Sequence, residues 1–181
     1  FTAYVREEIF LPADMNDSWI GMPAEQYLAY GDRLGQLQNT AAKPMKPHPN
    51  DASEAGYTTI KPGGNARGPA RELGTFYRML LDGGHGIVSP DTVRRFTARD
   101  RGPVPDATFR QVMDWGLGFM VNNHRHAAEA VPYGFGRHAT DHTFGHGGAE
   151  SSIGFADPGH DLVVCWICNG APGPMPHHQR N

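Results

Sequence analysis

Phe144-Gly145-His146-Gly147-Gly148-Ala149 sets one imidazole among three glycines, and Glu150-Ser151-Ser152-Ile153-Gly154-Phe155-Ala156-Asp157 follows at once. Such residues make a poor core strand and a good wall for a reaction. Glycine admits the close approach of a substrate or a second backbone, and bare strand N–H groups can bind a carbonyl oxygen. The imidazole of His146 can donate or accept a hydrogen bond beside them. Gly147 and Gly148 are candidates for substrate contact through close approach, although a tight strand contact explains them equally well. Glu150 and Ser151 stand next in line and could touch the same substrate, with plain solvent exposure as the simpler account.

The histidines also raise the question of a metal. His138, His142 and His146 recur every four residues, and His124 and His126 stand nearby. Four-residue spacing converges ligands only on a helix. Gly136, Gly145, Gly147 and Gly148 oppose a helix there, so no metal and no cofactor are expected, and a histidine zinc site is the weaker rival.

The elements that would position the wall can be read from periodicity. Residues 143–149, 151–156 and 162–168 read as three closing strands, with Asp157-Pro158-Gly159 as the turn before the last. Trp115 to Val121 reads as a further strand, and Trp115, Phe119 and Trp166 as core aromatics. Leu73, Phe76, Tyr77, Leu80 and Leu81 follow helical spacing over 69–81, which Gly83-Gly84 ends. Ser89 caps a second helix that opens at Pro90, with Val93 and Phe96 inward. Residues 1–10 carry Phe1, Val5 and Ile9 one helical turn apart, and 23–38 show a modest helical pattern. Thr40 to Gly64 lacks periodicity and reads as a long loop, a common form of binding rim. The sum is an α+β fold: a mainly helical and loop region over 1–99, then an antiparallel β-sheet over 113–170 with helices packed on it.

Totals bound the partners. The 181 residues carry a net charge of −3 and no Lys/Arg stripe, which argues against nucleic acid. The longest apolar run, Leu162 to Cys168, is far short of the roughly 20 residues that span a bilayer, so no membrane partner is expected. Cys165 and Cys168 would face opposite sides of a strand and read as buried free thiols. With no signal-peptide pattern in the sequence, these two unpaired thiols favour a reducing, cytoplasmic setting. The chain opens on Phe1 inside a helical pattern and closes on a polar, Pro-rich stretch. The expectation is an incomplete fold that is part of a longer protein.

Four motifs in order carry a resemblance. "YVREEIFLPADMNDSWIGMP", "KPGGNARGPARELGTFYRMLLDGG", "WGLGFMV" and "FGHGGAESSIGFADP" together resemble the later portion of the serine β-lactamase-like hydrolases, which include class C β-lactamases, esterases and D-aminopeptidases. The resemblance implies a β-lactamase/transpeptidase-like fold and hydrolysis of a small-molecule ester or amide through an acyl-enzyme. By matching position, His146 takes the place of the Lys or His in the family's third motif, and the Ala149 backbone N–H that of one oxyanion-hole donor. The family's Ser-x-x-Lys and Tyr-x-Asn are absent: Ser18, Ser53, Ser89, Ser151 and Ser152 are followed three places on by Gly21, Gly56, Thr92, Gly154 and Phe155. The implied partner is an N-terminal half of the same fold, or a second copy docked through exposed sheet. A catalytically inactive binding domain is the alternative.

Overall fold

The computed structural model describes residues 1–49, 53–126, 135–148 and 152–173. Its helices are α1 (Thr2–Val5), α2 (Ala24–Tyr30), α3 (Glu54–Thr58), α4 (Ala70–Leu81) and α5 (Pro90–Thr97). Three short strands, β1 (Trp19–Ile20), β2 (Gln38–Asn39) and β3 (Lys46–Pro47), precede β4 (Ala66–Arg67). The remainder is β5 (Arg101–Asp106), β6 (Gln111–Trp115), β7 (Met120–Val121), β8 (Phe144–Gly148), β9 (Ser152–Asp157), β10 (Leu162–Ile167) and β11 (Gly170–Ala171). An α+β architecture results, with an antiparallel six-stranded sheet in the order β10-β9-β8-β7-β6-β5.

Register explains why the sheet holds α4. Phe144, Ala156 and Val163 lie opposite one another, as do His146, Gly154 and Cys165 one pleat on. Partners across a ladder share a face, so both rows look toward α4. Tyr77, Leu80 and Leu73 from that helix join Phe144, Ala156, Val163 and Cys165 in one apolar core. A second core, Met113, Met120, Phe135 and Ile153 with Trp115, Phe155 and Trp166 at its margin, holds β6, β7 and β9 together.

The helix over 69–81 forms as expected, one residue shorter, with Pro69 as N-cap and Gly83 and Gly84 at positive φ after it. Ser89 caps α5 by accepting the Thr92 N–H at 3.1 Å, and Val93 is buried, but Phe96 faces outward. Residues 6–10 form a π-helix, in which Leu11 N–H donates to Arg6 O and Met15 N–H to Phe10 O. Steps of five therefore replace steps of four, and Val5, Phe10 and Met15 are buried while Phe1 is exposed. The helical pattern over 23–38 contracts to α2 and one 3-10 turn, and Leu28 is exposed.

Three further expectations need correcting. Trp115 to Val121 is not one strand but the end of β6, a turn and β7. Gly118 adopts φ +94°, and a Cβ on Gly116 would lie 2.2 Å from Phe96 O, so the glycines there make a reversal rather than a pleat. The loop over 40–64 contains α3, whose Tyr57 is buried. Cys165 and Cys168 are free but half-buried, not buried. The hairpin β5–β6 has no counterpart in the sequence reading, because Pro103 and Pro105 interrupt any strand pattern. Among the described residues, no helix is long and apolar enough to cross a membrane.

Candidate active site

His146 lies on β8 with an exposed side chain. Its Nδ1 is 2.6 Å from Gly147 O, a contact that needs the proton on Nδ1 and makes Nε2 the lone-pair nitrogen of the neutral ring. The Trp115 ring lies 5.8 Å from the imidazole, centroid to centroid. Because β7 is only two residues long, it pairs with Phe144 and Gly145 alone. The β7–β8 ladder thus stops just before His146, and β7 does not cover the strand edge at Gly147 and Gly148. On the other side β9 pairs with every residue of β8.

The wall is braced from below. Gly154 sits opposite His146, and a Cβ there would come within 2.3 Å of the Tyr77 ring. Only glycine lets α4 seat its tyrosine under this strand. Burial pushes the Tyr77 hydroxyl well above the usual phenol range, Cys165 adds to the rise, and a hydrogen bond from the His146 backbone opposes it. Tyr77 therefore stays a neutral prop. Periodicity assigns it to the core and offers no sign that it would meet the His146 backbone.

Two buried carboxylates fix the chain entering β8. Asp157, in the turn to which the sequence assigns no chemistry, accepts from the Thr140 N–H at 3.0 Å, the Gly159 N–H at 3.1 Å and His160 Nδ1 at 2.8 Å. Burial alone would raise its pKa, but the Thr140 and His160 bonds hold it at about 2. Asp114, fully buried, accepts from Arg125 Nε at 2.7 Å, Arg125 Nη2 at 2.8 Å, Arg99 Nε at 2.9 Å and His126 Nε2 at 2.9 Å. Arg99 also binds Asp141 O, and Asn122 Nδ2 donates to Ala139 O and Thr140 O. Residues 139–141 are thereby tied to both β6 and β9.

The end of the wall opens on a cavity of about 570 Å³. Gly148, Ser152 and Ile167 are register partners, and the last two line the cavity with Cys168 and Asn169. Its opposite side comes from residues 17–37 and 57–71. There Tyr30 donates to Asp17 Oδ1 at 2.6 Å and accepts from Trp19 Nε1 at 3.1 Å, while Tyr57 donates to Gly35 O at 2.7 Å. Glu72, buried in the first turn of α4, anchors that side by accepting the Asp17 N–H at 3.1 Å and the Ser18 hydroxyl at 2.6 Å. The sequence marks the 40–64 loop as a rim, and Tyr57 of that stretch does line the cavity, but Tyr30 and Arg33 carry no motif that would single them out.

His146, Gly147 and Gly148 are thus together on one strand. Ala149, Glu150 and Ser151 lie outside the described residues. Among the described residues, no group of three or more His, Cys, Asp or Glu side chains is placed to hold a metal ion. The spaced histidines His138, His142 and His146 are all exposed.

Known proteins share this fold. The Beta-lactamase family model matches residues 1–181. A protein of Escherichia coli O157:H7 named "Putative D-alanyl-D-alanine carboxypeptidase" is 33% identical over 106 residues, 57% of this chain and 21% of its own length. The crystal structure of a penicillin-binding protein homologue from Caulobacter crescentus superposes with a TM-score of 0.72 at 25% identity, covering 99% of this chain and 50% of that one. EstCE1, described as a hydrolase with promiscuous acyltransferase activity, matches at a TM-score of 0.73 and 16% identity over 98% of this chain and 48% of its own, a likeness of fold alone. The chain therefore spans half or less of the length of these relatives.

Proposed function

This chain belongs to the Beta-lactamase family, and on that premise we propose that it is part of a serine hydrolase cleaving ester or amide bonds through an acyl-enzyme. In this reading β8 is the wall that receives the substrate carbonyl. His146 hydrogen-bonds the catalytic machinery or a substrate carboxylate, Gly147 and Gly148 admit the substrate backbone, and the Ala149 N–H is one oxyanion donor. Glu150 and Ser151 stand beside the bound substrate. The serine and its lysine come from a further segment of the same fold. One observation supports this above others: an exposed His146 begins the stretch of β8 that β7 leaves uncovered, and that stretch runs into a cavity of substrate size.

Half of an oxyanion hole does little alone, since losing one donor costs about 10²–10³ in rate and the nucleophile adds far more. The test is turnover of p-nitrophenyl acetate together with fluorophosphonate labelling. The 181-residue chain alone is expected to give neither. A longer chain that includes a Ser-x-x-Lys segment is expected to give both, and His146→Ala in it to lower kcat/KM by about 10–100-fold with an unchanged melting temperature. Covalent label inside the 181 residues alone would overturn the division of labour. No turnover from the longer chain would favour the second reading, a binding domain without chemistry, which the absence of Ser-x-x-Lys from this sequence keeps in play.

A further inference from the structure

Charge is distributed unevenly around the cavity. Three guanidiniums, Arg33, Arg67 and Arg71, line it against one carboxylate, Asp17. Asp17 is already engaged, accepting from the Tyr30 hydroxyl and pairing with Arg71 Nη2 at 3.5 Å. Arg33 lies over the Tyr30 ring, its guanidinium carbon 5.2 Å from the centroid, and Arg67 lies over Tyr57 at 4.9 Å. Both cations are therefore stacked on aromatic faces. Stacking orients a planar guanidinium, and at Arg33 it leaves edge N–H donors for a planar anion, whereas Arg67 Nη2 already donates to Gly56 O at 3.5 Å.

The rest of the lining is apolar, with Met22, Leu34 and Ile167 among it. A net positive rim over an apolar floor selects an amphipathic anion, because a neutral ligand gains nothing from the rim and a bare inorganic anion nothing from the floor. We propose that this cavity binds an organic carboxylate on an apolar body, with Arg33 as its principal anion contact. Arg33 offers a fork of two N–H groups to the carboxylate oxygens, and Tyr30 holds the fork flat. That the anion belongs to the substrate rests on the hydrolase reading above. The anion preference of the cavity does not.

The test uses a matched pair, 4-phenylbutyrate and 4-phenylbutanamide, which differ only in charge at the head group. Tyrosine fluorescence titration of the full chain at neutral pH reads the affinity of each. The acid is expected to bind about tenfold more tightly than the amide, and the ratio to shrink as salt is raised. Arg33→Gln, at an exposed position, should bring the ratio to about twofold or less while the thermal midpoint stays put. Arg71→Gln, whose partners are Asp17 and Glu72, should leave most of the preference in place. Equal affinity for acid and amide would overturn the proposal, as would a preference that survives Arg33→Gln, or no binding of either at about 10 mM. These titrations need no turnover, so their failure leaves the hydrolase reading standing, and failure of hydrolysis leaves them standing.

Discussion

Removing the Asp114 carboxylate should loosen the chain on both sides of the wall, and the cost can be worked from its contacts. In Asp114→Ala, two arginines and one histidine lose an acceptor that has no exposure to water. Breaking a buried ion pair from one side costs about 3–5 kcal/mol. The cations here are only partly buried, with Arg99 at 22% and Arg125 at 46% exposure, so water recovers part of that. About 2–4 kcal/mol is the expectation, or a fall of roughly 4–16 °C in melting temperature for a chain of this size. The sign with pH follows from the same contacts. Burial would raise the carboxyl, but Arg125, His126 and Arg99 outweigh it and lower it from 3.8 to about 2. A lowered carboxyl stabilises the fold above its unfolded value and ceases to do so as pH falls through the folded one. That contribution is roughly 2–3 kcal/mol at pH 7 and about half as much at pH 3. Urea denaturation of both proteins at pH 7, 4 and 3 reads the difference directly. A gap below about 0.5 kcal/mol at pH 7, or one that does not narrow toward pH 3, would refute the assignment of Asp114 as an ionised clasp.

Three other substitutions probe the supports of the site. Gly154→Ala puts a methyl 2.3 Å from the Tyr77 ring and 3.2 Å from Leu73 Cδ2. It should cost about 1–3 kcal/mol in urea melts, and a neutral outcome would mean that α4 moves away easily. Glu72→Ala leaves the Asp17 N–H and the Ser18 hydroxyl without their buried acceptor. A loss of about 1–3 kcal/mol is expected, with faster amide exchange at Asp17 as the local sign. Ser89→Ala removes the cap on the Thr92 N–H and should lower stability by about 1 kcal/mol without touching ligand binding.

What was legible in the sequence follows a physical division. Local patterns gave reliable elements: the 69–81 periodicity, the Ser89-Pro90 cap and the three closing strands all depend on neighbours a few residues away. The π-helix over 6–10 was not legible, because Phe1, Val5 and Ile9 satisfy a four-residue step as well as Val5, Phe10 and Met15 satisfy a five-residue one. Packing against Ala13 and Ile20 decides between them. The glycines of Trp115–Val121 fit an alternating strand and a reversal equally, and the close approach of Phe96 O to Gly116 selects the reversal.

The site divides the same way. His146 and its glycines form a contiguous signal, so their place on one strand could be read directly. Their supports could not, since Tyr77, Asp114 and Asp157 reach the wall from other parts of the chain and look like ordinary core or turn residues in isolation. The cavity is the extreme case. Arg33 and Ser152 are 119 positions apart in sequence and come to one space only because β8 ends and β9 begins beside the 17–37 segment. A carbonyl held at Gly148 would lie next to that space, so whatever the cavity prefers acts as a filter on what reaches the wall. Selectivity at this site is then set by arginines distant in sequence from the histidine motif. Changing Arg33 should alter which ligands bind without altering the geometry of β8, and changing Gly154 should do the reverse.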